Sequence, residues 1–361
     1  MIAALLALAL CGQVESAQAR ELVDKLGSDN LDEREEAVRR LTLLGKPALP
    51  EIEKAAKGPD PEAATRAKYL LRLIPIRDRV TPRLLHLMPG VEQRLSLDDP
   101  HSWTEVLLEA MQLEMSRRGG KEGTLFKPED LEGVAPLALR GAATKQEKEW
   151  ACSAVVHLKL RSVAPQVAKF LEDPVPEVRR CAIETLRAIG SPLAVPGYLR
   201  TLRDPDPNVQ AFACEGLAEL GDPSAVPGIA ALLKAESAFA RGQAARALAR
   251  LGAAEYAKRI GDLLEDPDET ARFYAVQAVA ELRSRAEAPR VRALLQDPDP
   301  NVAAAAIRAL EVLEGRAAVP SLMDSLDQRV PLVQKAAAET LCLLWVRAAV
   351  LCLLGTPAST R

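Results

Sequence analysis

Glu172-Asp-Pro-Val-Pro-Glu-Val178 returns as Arg203-Asp-Pro-Asp-Pro-Asn-Val209 and as Gln296-Asp-Pro-Asp-Pro-Asn-Val302. Glu265-Asp-Pro-Asp-Glu-Thr-Ala271 opens the same way. Asp173, Asp204, Asp266 and Asp297 therefore lie on a grid of 31 residues, whose missing points are Ala142, Ala235 and Gln328. A fixed period of roughly 20–50 residues is the mark of stacked supersecondary units. Everything else in the sequence is best read outward from that grid.

The grid extends beyond the loops. Ala151, Ala182, Ala213, Ala244, Ala275, Ala306 and Ala337 recur at the same interval, which marks a place where two helices come too close for a larger side chain. Four residues further on stand Val155, Leu186, Leu217, Leu248, Val279, Leu310 and Leu341. Three beyond those stand Leu158, Ile189, Leu220, Leu251, Leu282, Leu313 and Leu344. Spacings of four and three place these columns on one helix face. Gly190, Gly221 and Gly252 follow as helix-ending residues. A second helix then opens with Ala194-Val-Pro196, Ala225-Val-Pro227 or Ala318-Val-Pro320, where proline forfeits only an N–H that lacks a partner anyway. Its core positions include Val167/Phe170/Leu171, Ile229/Leu232/Leu233, Ile260/Leu263/Leu264 and Val291/Leu294/Leu295.

Each unit is thus a pair of short amphipathic helices that cannot bury its apolar face alone, whereas stacked copies can. No segment alternates with period two, so strands are not expected. The two-helix unit, the Asp-Pro-x-Pro-x-Val opening, the alanine column and the Ala-Val-Pro second helix resemble HEAT repeats over about residues 142–345. Their 31-residue length is similar to the short, phycobilin-lyase-like variety. The resemblance implies an all-α fold, a right-handed α-α superhelix of about eight to ten units. It says little about activity, because one fold hosts many functions.

Related units occur earlier, at Asp29-Asn-Leu-Asp-Glu-Arg-Glu-Glu-Ala37 and Asp60-Pro-Glu-Ala-Ala-Thr-Arg-Ala67. Asp60 is out of phase with the main grid, so an irregular segment is expected between them. The expected organisation is a HEAT-like module over 20–75, an irregular helical insert over 76–141, and the regular array with a C-terminal cap over 142–361. Within the insert, a helix is expected from Trp103 to about Met115, a loop over Gly119–Gly123 and another helix from Glu129 to Leu139. Residues 1–19 read as a signal peptide, with the apolar run Ile2–Leu10 and small residues at Ala17 and Ala19, although no Lys or Arg precedes the run. Export to a periplasmic or envelope location is the expectation, with the cytoplasm as the alternative. Leu10 is too large for a lipobox before Cys11.

Charge narrows the function classes. Lys+Arg 47 against Asp+Glu 50 leaves a net charge of -3, without the basic excess of a nucleic-acid binder. The three histidines, His86, His101 and His157, form no His-Glu pair, and no Cys-x-x-Cys occurs. No phosphate-binding glycine loop or nucleophile elbow is present. The Asp173, Asp204, Asp266 and Asp297 ladder supplies too few oxygens per unit for calcium and reads instead as turn caps. No catalytic residue, cofactor or metal is expected.

The resemblance places second helices on the concave side. Their solvent columns mix signs, which suits a protein partner better than a phosphate track. The basic part, Lys169, Arg200, Arg203, Arg259 and Arg290, is the candidate partner-binding surface. The expected role is a non-catalytic scaffold for protein–protein interaction, its partner unidentified. Alternatives are an accessory factor resembling phycobilin lyase subunits, or a structural envelope component. The apolar stretch 341–354 is too short to span a bilayer and is expected to fold inward as the cap.

Overall fold

The computed structural model describes residues 16–117 and 124–353. Among them there are helices, turns and loops and no strand. The chain forms two compact units, 1–167 and 168–361.

In the first unit, helical residues 16–24 pack with Leu31–Leu44, Leu49–Ala56 and Pro61–Arg77 around Leu22, Leu26, Leu41, Ile52, Leu70 and Ile74. Ala19 lies in this core. Cleavage behind it would therefore remove one buried methyl group from the core. Asn30 and Asp60 cap the second and fourth of these helices through N–H groups of Asp32, Glu62 and Ala63. The last helix runs through Pro75 to Arg77, past the expected edge of the module. Its continuation is supported by the burial of Ile74 and Ile76.

The expected insert helix is present as Pro100–Arg117, anchored by buried Trp103, whose indole N–H donates to the Ser96 carbonyl at 2.6 Å. The expected helix 129–139 is instead two short ones, Pro128–Leu131 and Ala135–Gly141. The break falls at Gly133, where a Cβ would stand 1.9 Å from the Arg79 carbonyl oxygen. The expected Gly119–Gly123 loop and residues 1–15 lie outside the described residues.

The second unit is a HEAT-type solenoid. Its first helices are Pro176–Ile189, Pro207–Leu220, Ala238–Arg250, Glu269–Glu281, Pro300–Glu314 and Pro331–Leu353. Shorter second helices alternate with them, among them Val195–Thr201, Val226–Ala231, Ala257–Gly261, Ala288–Ala293 and Val319–Asp324. Ala182, Ala213, Ala244, Ala275, Ala306 and Ala337 are completely buried, as the spacing predicts. At that column successive first helices pack directly on one another, and each second helix packs on the first helix that follows it.

Gly190, Gly221 and Gly252 end their helices with φ of 63°, 68° and 69°. Arg283 occupies the same grid point with φ of 51°. The final helix has no glycine there: Trp345 takes the place, and the helix runs on to Leu353. Within this helix Leu341 and Leu344 are buried, while Leu343, Trp345 and Val346 are exposed.

A left-handed conformation costs a residue with a Cβ roughly 1–2 kcal/mol. Arg283→Gly is expected to raise unfolding stability by about 1 kcal/mol, measured by chemical denaturation. Gly252→Arg is expected to lower it by a similar amount.

Candidate functional site

The aspartate ladder is taken up by arginines. Arg179 donates from Nε and Nη2 to both carboxylate oxygens of Asp204, at 2.7 and 2.6 Å. Arg241 does the same to Asp266 at 2.8 and 2.7 Å, and Arg272 to Asp297 at 2.8 Å twice. In each pair the arginine belongs to one unit and the aspartate to the next. The remaining nitrogen, Nη1, donates to two carbonyls of the arginine's own loop: Asp173 and Pro174, Ala235 and Glu236, Asp266 and Pro267. The hydrogen bonds to Asp204, Asp266 and Asp297 raise the three guanidiniums above the ordinary arginine range, against the opposing effect of desolvation.

The aspartates also brace their own turns. Oδ1 of Asp173, Asp204, Asp266 and Asp297 accepts the N–H two residues on. Helix capping falls to the second acidic residue: Asp206 accepts from Asn208 and Val209, Asp268 from Thr270, and Asp299 from Asn301 and Val302. The ladder therefore clamps repeats together as well as closing turns, and its carboxylates are engaged. No group of three or more His, Cys, Asp or Glu among the described residues is placed to hold a metal ion.

Two grid points of the second unit lack both partners of the clamp. Gln210 and Ala235 stand where the next Arg–Asp pair would fall, as do Ala303 and Gln328. Gln210 keeps only the local half of the interaction, donating to the Asp204 carbonyl at 2.8 Å. The arginine column is legible on the same 31-residue grid once the 25-residue offset between Arg179 and Asp204 is known, but that offset is a property of the stack.

The candidate basic residues do not form one patch. Lys169, Arg200 and Arg203 lie on neighbouring segments near 168–203, and Arg259 and Arg290 on two later ones, with Gly228 and Ala231 at the corresponding places between. Arg200 donates to Glu172 at 2.9 Å while remaining 62% exposed. Arg259 donates to the Ala230 carbonyl at 3.2 Å and lies 5.4 Å from the Tyr256 ring centre. Arg290 is held by Glu265, Glu287 and Asp262 at 2.9, 3.2 and 3.3 Å. Only Lys169 and Arg203 have side chains without a partner among the described residues. Arg200 flanks a small inter-repeat groove with Leu171, Gly197 and Asp204. An equivalent groove of about 700 Å³ lies between Leu264–Pro267 and Leu294–Asp299.

The partly exposed side of the first helices has a different character. Its outward stripe carries Phe212, Phe239, Phe273 and Tyr274, all half-buried. Tyr274 packs on Phe239 and Phe273, with ring centres 6.3 and 5.5 Å apart. Arg246 stands over Tyr274 at 5.4 Å and Arg180 over Phe212 at 5.7 Å. Beside the rings, Glu215 accepts from Arg187 at 2.9 Å and Arg246 at 2.8 Å, and Glu219 faces Arg187 at 3.4 Å. Its charges thus largely neutralise each other. Phe212, Phe273 and Tyr274 stand at grid points that other units fill with Ala211, Ala304, Ala305 and Ala336, in a chain that is only 3% aromatic, which is the signal that could have found them.

Residues 163–192, 195–269 and 257–342 match the family models for HEAT repeats. This array is thus built of HEAT repeats. No curated protein matches it. Among solved structures, the complex of CpcE and CpcF of phycocyanin lyase from Nostoc sp. PCC7120 is similar at 20% identity, covering 62% of this chain and 89% of that one, with a TM-score of 0.42. Two engineered proteins are similar at 19% and 18% identity, with TM-scores of 0.37 and 0.38. They cover 51% and 90% of this chain, and 96% and 98% of their own.

Removing one partner of a largely buried ion pair strands the other. Arg272→Ala and Asp297→Ala are each expected to cost about 3–5 kcal/mol in chemical denaturation. Their double variant should cost clearly less than the sum. Installing the missing pair as Gln210→Arg with Ala235→Asp should give positive coupling in the same double-mutant cycle.

Proposed function

We propose that this chain is a non-catalytic scaffold that binds another protein through the extended surface of its repeat array. The observation that carries this reading is the partly exposed side of the first helices. Half-buried aromatic rings and arginine side chains are concentrated there on three successive helices, Pro207–Leu220, Ala238–Arg250 and Glu269–Glu281. Phe, Tyr and Arg are the types enriched in the buried centres of protein interfaces. Near-neutral charge suits a protein partner better than a polyanion. The second-helix residues Lys169 and Arg203, whose side chains are unengaged, are a secondary candidate contact.

The same reading includes export of the chain, motivated by Ile2–Leu10 and Ala17–Ala19. N-terminal sequencing of the protein from its native source should then begin near Arg20, and an intact Met1 would exclude cleavage.

The scaffold itself is tested by capture from the native source on the immobilised full chain, followed by titration with the purified candidate. One saturable partner is expected. Charge reversal of Lys169, Arg200, Arg203, Arg259 and Arg290 to Glu should leave most of the binding intact if the aromatic side of the first helices is the main contact. Loss of all binding in that variant would move the site to the second helices. The absence of any saturable partner would overturn the scaffold.

A further inference from the structure

The clamp is missing at one joint inside the array. Arg179–Asp204 ties the helix Pro176–Ile189 to the turn that opens Pro207–Leu220, and Arg241–Asp266 does the same for Ala238–Arg250 and Glu269–Glu281. At the joint between them, Gln210 and Ala235 take the places of arginine and aspartate. Each of these two residues is tied only to its own side. Gln210 donates to the Asp204 carbonyl at 2.8 Å, and Arg241 donates to the Ala235 and Glu236 carbonyls at 2.8 Å. None of these hydrogen bonds crosses the joint.

The turn at this joint is also less constrained. Proline follows the aspartate at Pro174, Pro205, Pro267 and Pro298, where this turn has Glu236. Proline fixes φ, so a turn without it keeps more freedom. Ala235 has no side-chain oxygen for the Ser237 N–H, the role of Oδ1 in the four aspartate turns. Ser237 caps its helix through the Ala240 N–H alone, at 3.4 Å. Asp206 and Asp299 each accept from two N–H groups, the shorter bonds being 2.8 and 2.9 Å.

The other end of the same joint is fastened. Glu215 accepts from Arg246 at 2.8 Å, and Arg250 faces Glu219 at 3.8 Å. These pairs lie in the C-terminal halves of Pro207–Leu220 and Ala238–Arg250, whereas Gln210 and the Ala235 turn lie at the N-terminal ends. Val226–Ala231 packs on Ala238–Arg250, so the chain itself crosses the joint in the turn 221–225, at the fastened end.

We infer that the array hinges at this joint. The N-terminal ends of Pro207–Leu220 and Ala238–Arg250 part as a wedge, pivoting about Glu215–Arg246, Glu219–Arg250 and the turn 221–225. The clamped helices on either side move as blocks. Apolar contact between the two helices offers little resistance to a small tilt, since dispersion has little directionality. Opening the wedge changes the curvature of the array, as hinges elsewhere reorient packed elements through a few residues. The hinge is a property of the array and does not depend on the scaffold reading.

The test measures distances in the full chain by pulsed electron double resonance, with nitroxides carried on unnatural amino acids so that the native cysteines stay untouched. Asn208, Ser224, Glu269, Ala286 and Asn301 are exposed and Ala238 is half-buried. The pair Asn208/Glu269 spans the hinge joint and one clamped joint at the N-terminal ends of the first helices. Ser224/Ala286 spans the same joints at the fastened end. Ala238/Asn301 spans two clamped joints. Asn208/Glu269 is expected to show a second, longer-distance component that the other two pairs lack. Gln210→Arg with Ala235→Asp should remove it. Arg272→Gln with Asp297→Ala, which copies the natural replacement to a clamped joint, should create such a component in Ala238/Asn301.

A single Asn208/Glu269 distance as narrow as that of Ala238/Asn301 would overturn the hinge. Equal broadening of Ser224/Ala286 would overturn the pivot, since the joint would then loosen uniformly. A longer component that persists after the installed pair has formed, as judged by positive coupling in its double-mutant cycle, would sever the motion from the missing clamp. If the installed pair does not form, the reciprocal variant decides: an unchanged Ala238/Asn301 distribution in Arg272→Gln with Asp297→Ala has the same meaning.

Discussion

Successive first helices touch along their length only where neither carries more than a methyl group at the crossing. The fully buried column from Ala182 to Ala337 meets that condition. Its close contact brings the turn of one unit next to the first helix of its neighbour. Arg179 can then reach Asp204, Arg241 can reach Asp266, and Arg272 can reach Asp297. A larger residue in the column would separate the helices and part these pairs. The clamp therefore depends on the alanines, and the relative placement of the repeats depends on both.

Apolar burial and the ionic clamp divide the work. Leucine and valine columns make stacking favourable but tolerate some sliding, since dispersion has little directionality. A bidentate guanidinium–carboxylate pair is directional and fixes the register. The paired losses at Gln210 and Ala235, and at Ala303 and Gln328, fit that division. An orphaned arginine or aspartate would be a buried charge without compensation, whereas losing both leaves the apolar contact intact.

The same close packing shapes the partly exposed side of the first helices. Gly242 leaves room for Tyr274 to settle against the neighbouring helix. Arg180 and Arg246 cover two of the rings, and Glu215 balances Arg246. On the second helices, most candidate arginines spend their hydrogen-bonding capacity on nearby acids or carbonyls. Exposure and positive charge, which made those residues prominent in the sequence, do not measure how far they are already engaged.

The sequence by itself determined the repeat, the helix pairs, the alanine column and the glycine turns, because these follow from local spacing and local backbone chemistry. It also contained the arginine column, but not its meaning. Which carboxylate an arginine meets 25 residues away depends on how two units stack. Only the tertiary structure sets which first helices pack directly on one another and that the last helix continues past Trp345 to Leu353. It also decided that helix 128–141 breaks at Gly133, where the Arg79 backbone crosses. Each of these is set by the distance of closest approach between segments remote in sequence, which no period along a single chain encodes.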